Sequence, residues 1–223
     1  MTGLALAALL TWGTLVGLDL ITWPQVMIAR PLVAGTVAGW LVGDVAAGAA
    51  VGAILELFAL DLLPVGAARY PDYGIGAVAA AYAASGAPDV LSWGLASLLG
   101  LAVAYAGQYG IHLIRRRTAG HARANGAALD AGDPRVIRRV HLAAIARDGV
   151  RGLALTAAGL AAASAIRAWP FMTLQGTAVL QMATLGAALG VAVLGALRLA
   201  GRGAGPAWFA AGLATGLMWV VLA

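Results

Sequence analysis

The chain contains no cysteine and no lysine. The first absence removes disulfides, thiolate nucleophiles and cysteine-ligated metals. The second leaves arginine to carry all 14 basic charges. Charge of either sign is scarce, at 10% of residues, against roughly 25% in soluble domains. There is one glutamate, Glu56, and there are three histidines. His112, His121 and His141 lie in or beside an arginine-rich stretch, with no metal-ligand spacing and no paired acid, and are read as solvated. No Walker loop, dinucleotide fingerprint or nucleophile elbow occurs. Catalysis by this chain alone, a cofactor and a metal site are therefore not expected.

What is present is apolar. The 223 residues are 62% hydrophobic and include 31 glycines, with a mean hydropathy of +0.90. A soluble fold needs more polar surface. The composition predicts an all-α polytopic bundle, one integral membrane domain over residues 1–223. In lipid, helices associate through close packing of small residues. Small spacings recur at Gly13/Gly17, Gly35/Gly39/Gly43, Gly48/Gly52, Gly186/Gly190 and Gly212/Gly216. They read equally as packing motifs and as a codon bias.

The isoelectric point near 10.4 comes from one segment. Residues 115–151 hold nine arginines and three aspartates, and the remainder holds five arginines and six acids. A basic segment between apolar ones is a cytoplasmic loop by the positive-inside rule, not a nucleic-acid surface.

Hydropathy divides the chain into residues 1–114, a basic loop with an amphipathic helix at 115–150, and a three-helix part at 151–223. Residues 2–22 predict a first membrane segment rather than a cleaved signal. Residues 31–44, 45–63 and 74–86 are short or interrupted. At 14 residues, 31–44 falls short of the roughly 20 needed to cross a bilayer and predicts a re-entrant or half-helix. Residues 89–114 predict a full span, 118–133 a polar loop, and Asp133–Pro134 the start of an amphipathic helix to about Arg147. Residues 151–168, 174–197 and 206–222 predict three more spans. This scheme puts eleven of the 14 arginines inside. Trp23, Trp93, Trp169 and Trp208 sit near segment ends, suiting interfacial anchoring or ordinary packing.

The candidate site lies between Arg30 and Gly76. A carboxylate at membrane depth is costly, and broken apolar segments put unwound backbone around polar ligands. Glu56 reads as an acceptor for solute hydroxyls, or as an ion-pair partner of Arg30 or Arg69, or as a carboxyl kept protonated. Asp72, after Pro71, reads as a cavity-lining acid or a loop acid. Arg69 pairs with Asp72 or faces the membrane surface. Asp44 is placed to cap the next helix, or to touch ligand. Gln25 is a neutral hydrogen-bonding group in an irregular stretch. Asp19 reads as a ligand-side group or a solvated terminus.

The runs Arg30-Pro31-Leu32-Val33-Ala34-Gly35, Gly43-Asp44, Gly52-Ala53-Ile54-Leu55-Glu56 and Gly66-Ala67-Ala68-Arg69-Tyr70-Pro71-Asp72 occur in this order. Together they resemble the N-terminal half of the IIC subunit of the mannose/fructose/sorbose family of the phosphotransferase system, over about residues 13–85. Pro64 stands where the family often has Asn. The resemblance implies an inner-membrane sugar permease component that carries a hexose or amino sugar and is not itself phosphorylated. It implies a IID membrane subunit as partner, soluble IIA and IIB phosphocarriers, and trimers of IIC–IID pairs. It also implies Glu56 and Asp72 as sugar-site acids. A scaffold or regulatory membrane subunit of a phosphorelay, and an unrelated small secondary transporter or membrane enzyme, are the alternatives.

Overall fold

Proline and aspartate mark where the helices begin. In a computed structural model, which describes residues 2–61, 69–86, 93–168 and 174–199 plus positions 207, 210, 211 and 214, eight helices follow in order. They are α1 (Gly3–Ile21), α2 (Pro31–Val42), α3 (Val45–Ala59), α4 (Tyr73–Ala84), α5 (Trp93–Ala124), α6 (Gly126–Asp130), α7 (Pro134–Arg167) and α8 (Leu174–Leu199). Pro31 and Pro134 open α2 and α7, where a missing N–H is harmless. The carboxylates of Asp44, Asp72 and Asp133 accept from the first free amides of α3, α4 and α7. No strand occurs among the described residues.

Four helices are long and apolar enough to cross a membrane: α1, α5, α7 and the Gly176–Arg198 part of α8. Helices α2, α3 and α4 are not. Twelve residues rise only about 18 Å, against a hydrocarbon core of about 30 Å. The N-terminal half thus has the short, broken segments that its hydropathy predicts.

Two boundaries differ from expectation. Residues 118–133 are not a loop, because α5 runs unbroken to Ala124 and α6 follows. The amphipathic piece and the span after it are one helix, α7, of 34 residues. Alanine, leucine and arginine all favour helix, so polarity ends the membrane segment without ending the helix. The stretch predicted as a last span, 206–222, lies almost wholly outside the described residues, as do Trp169 and Trp208.

Helices α2 and α3 form an antiparallel pair whose backbones touch. A methyl group at Gly35 would stand 2.7 Å from the Gly48 carbonyl oxygen, and one at Gly52 would stand 2.8 Å from that of Pro31. Gly39 and Gly48 are equally closed to a side chain. Three of the small-residue patterns are therefore packing surfaces, since Gly13 and Gly17 are likewise closed, by Thr156 and Gly152. Gly186 and Gly190 have nothing within 4 Å and pack against no described residue. Within the bundle, α4 is the central helix, with eleven of its twelve residues buried.

Gly48→Leu should force α2 and α3 apart and lower stability by about 1–3 kcal/mol or more. Gly190→Leu should leave it nearly unchanged. Thermal unfolding in detergent distinguishes the two, and equal losses would contradict the packing described.

Candidate functional site

The buried charges gather around the N-terminus of α4. Asp72 is fully buried. Its Oδ1 accepts from the Ile75 amide at 3.2 Å, and its Oδ2 accepts from Arg151 Nη1 at 2.5 Å. Arg151, on α7, also donates Nε to Asp148 at 2.8 Å and Nη2 to the Gly17 carbonyl at 3.0 Å. The second oxygen of Asp148 accepts from the Thr22 hydroxyl at 2.9 Å. One guanidinium thus joins α1, α4 and α7. Gly17 permits this, because a Cβ there would meet Arg151 Nη2 at 3.2 Å.

The other end of α4 is held by the same helix. Arg167, at the last turn of α7, donates to the carbonyls of Tyr82 at 2.8 Å and of Ser85, and its guanidinium lies 5.2 Å from the Tyr82 ring centre. A cation at a helix C-terminus satisfies carbonyls that have no partner in the helix and opposes the negative end of its dipole.

Between α1 and α2 the chain turns through residues 22–30. Gln25 and Met27 have φ of 59° and 69°, a region that side chains seldom adopt. Asp19 fixes this turn. Its buried carboxylate accepts from the Val26 amide at 2.6 Å and the Ala29 amide at 2.9 Å. Gln25 Nε2 donates to the Ile21 carbonyl at 3.0 Å. The Tyr70 hydroxyl accepts from Arg115 Nη2 at 3.0 Å.

This turn, the end of α3 and the start of α4 enclose a cavity of about 410 Å³. Small-molecule sites run from about 300 to 1,000 Å³. Its polar lining is Asp19, Gln25, Arg30, Tyr70 and Tyr73, set among apolar groups that include Met27 and Pro71. The lining thus combines hydrogen-bonding side chains with apolar and aromatic ones.

The model of the family described as the sorbose-specific IIC component of the phosphotransferase system matches residues 4–200. The chain belongs to that family. A IIC component is a multi-pass protein of the bacterial inner membrane, in keeping with the four helices here that are long and apolar enough to cross one. The sorbose-specific EIIC component of Klebsiella pneumoniae is 34% identical over 122 residues, which is 55% of this chain and 45% of the relative. The mannose-specific EIIC component of Escherichia coli K12 is 29% identical over 122 residues, with the same shares of each chain. The chain spans about half the length of these curated relatives in the matched region. A solved structure described only as a membrane protein superposes with a TM-score of 0.75 at 22% identity, covering 100% of this chain and 94% of the other. A chain of the mannose transporter ManYZ, in complex with microcin E492 (MceA), gives 0.65 at 22% identity, covering 97% and 87%. These two likenesses concern the fold.

In this IIC component the predicted site residues separate. Gln25 lines the cavity. Asp72 lies directly behind its wall, between the lining residues Pro71 and Tyr73. Its partner is Arg151 and not Arg69. Arg69 is exposed and is not part of the lining. Glu56 pairs with Arg30, and its Oε2 accepts from the Leu32 amide at 3.2 Å, so it caps α2 from a distance. Arg30 lines the cavity and Glu56 does not. Asp44 is at the opposite end of α3, about 18 Å away by helix rise. Its carboxylate is occupied by the Ala47 and Gly86 amides, at 3.0 and 3.1 Å. Capping is therefore its role here.

Sequence reading missed Arg151, Asp148 and Tyr70. Arg151 and Asp148 were grouped with the basic segment on charge alone. Their spacing on one helix face was the available signal, since residues three apart are neighbours.

Arg151→Met leaves two buried carboxylates without a cation. Stability should fall by about 3–5 kcal/mol. Arg30→Gln opens a partly exposed pair and should cost about 1 kcal/mol or less. Thermal unfolding and detergent-soluble yield measure both, and an equal effect would contradict the hierarchy.

Proposed function

We propose that the chain is the sugar-translocating membrane subunit of a mannose-type phosphotransferase system. The observation that carries this reading is the 410 Å³ cavity at the Asp19–Arg30 turn, in a chain of the IIC family. The substrate class is a hexose or amino sugar. Arg30 donates to its hydroxyls, Gln25 and Tyr70 donate or accept, and Tyr73 offers a ring face. Glu56 holds Arg30 in place, and Asp72 holds the start of α4, so both acids act on the site through its walls.

The cavity lies toward the end of the bundle where α5 leaves its apolar run for Arg115–Arg117. By the positive-inside rule this end is cytoplasmic, and the cavity is at the inward end of the pathway. Delivery there suits phosphorylation by soluble IIA and IIB subunits. A IID subunit completes the permease on this reading, in trimers of IIC–IID pairs. Because α4 is tied to α7 at both ends, a translocation step must carry these two helices together or break both arginine links.

The test is co-purification with the candidate IID subunit and a thermal-shift screen of hexoses and amino sugars. A sugar at about 100 times its dissociation constant should add roughly 2.7 kcal/mol. The shift should shrink at least tenfold in apparent affinity with Gln25→Ala and Tyr70→Phe combined. No shift with any sugar in an intact complex would refute the reading.

A further inference from the structure

A second cavity, of about 440 Å³, lies between α5 and α7 on the far side of Arg151. The proposed sugar function does not use it. Its walls are Leu113, Ile114 and Val150, with Gly110 and Ala146 giving it depth. Leu113 and Val150 are 50% and 68% exposed. Arg117 and Arg147 close one end.

Among the described residues, no acid pairs with Arg117 or Arg147. Arg151 presents only its stem, since a Cβ on Gly110 would meet its Cγ and Cδ at 3.2 and 3.3 Å. Its guanidinium is occupied by Asp72 and Asp148 on the other side. Arg147 is anchored by one nitrogen, Nη2 standing 2.8 Å from Nδ1 of His121. Arginine only donates, so that imidazole nitrogen is the acceptor. The other terminal nitrogen, Nη1, is buried without a hydrogen-bond partner among the described residues. A buried donor left unmade is costly, and a charged one more so. Arg117 is exposed and forms no ion pair among the described residues.

The groove has a vertical order. Its apolar walls belong to the last turns of the α5 membrane span and the facing turn of α7, and Arg117 and Arg147 stand where the apolar run of α5 gives way to the basic segment. Apolar surface below and unanswered positive charge above match one molecule, a phospholipid with an anionic headgroup. A polar peptide would leave the walls unmatched, and a free anion would leave them empty.

We propose that the α5–α7 groove binds an anionic phospholipid. Its phosphate lies against the guanidinium groups of Arg117 and Arg147, and its acyl chain lies along Leu113, Ile114 and Val150. The lipid would then rest against the stem of Arg151 and brace the helix that holds α4.

The test is native mass spectrometry of the full chain with phosphatidylglycerol or with phosphatidylcholine. Phosphatidylglycerol should be retained in preference. Arg117→Gln and Arg147→Gln should each lower its apparent affinity about fivefold. Arg138→Gln, which removes the same charge elsewhere on α7, should not. Val150→Trp fills the groove without touching charge and should also exclude the lipid, which keeps the test open if an arginine variant fails to fold. Excess inorganic phosphate should not displace the lipid. Equal retention of the two lipids, an equal effect of Arg138→Gln, full retention in Val150→Trp, or displacement by phosphate would each overturn the proposal. None of these outcomes depends on sugar binding.

Discussion

One guanidinium organises this bundle. Arg151 is buried and donates to three oxygen atoms, one each of Asp72, Asp148 and the Gly17 carbonyl, while Thr22 satisfies the other oxygen of Asp148. In lipid such a group has no water to fall back on. Its geometry therefore dictates the positions of its partners. Asp72 has to begin α4 where Arg151 can reach it, and α1 has to keep glycine where the guanidinium passes. The cavity wall at Pro71–Tyr73 is placed by that contact, although Arg151 never faces the cavity.

A second constraint acts on the other side of α4. With no hydrophobic force between helices in a membrane, α2 and α3 are joined by backbone contact through Gly35, Gly39, Gly48 and Gly52. At these four positions the contact is between backbones, with no side chain to rearrange. It sets Arg30 and the end of α3 against the turn that Asp19 has folded. The cavity thus forms where the short α2–α3 hairpin meets the charge-locked central helix.

Much of this was legible in the sequence. Pro31, Asp44 and Asp133 each mark a helix start by a local rule that needs no tertiary knowledge, whereas Asp72, which obeys the same rule, reads from the sequence as a cavity or loop acid. The brevity of α2, α3 and α4 followed from counting apolar residues. The continuity of α5 and α7 through polar stretches was not legible from hydropathy, which reports the membrane boundary and not the helix boundary. The pairing of Asp72 was hidden for a different reason. Its partner is 79 positions away, whereas Arg69 is three away and was the nearer candidate. Asp19 was ambiguous because its partners are backbone amides, which carry no signal in a sequence.

The central claim is that the sugar site is the cavity at the Asp19–Arg30 turn, at the arginine-rich end of the bundle. The lack of cysteine makes it directly testable by labelling. Gln25→Cys and Val45→Cys, at opposite ends of the α2–α3 hairpin, would be reacted with a maleimide in membranes with and without a panel of hexoses and amino sugars. The account predicts that a transported sugar slows labelling at position 25 and leaves position 45 unchanged. Protection at position 45 alone, or at neither position with a sugar that is demonstrably transported, would contradict it.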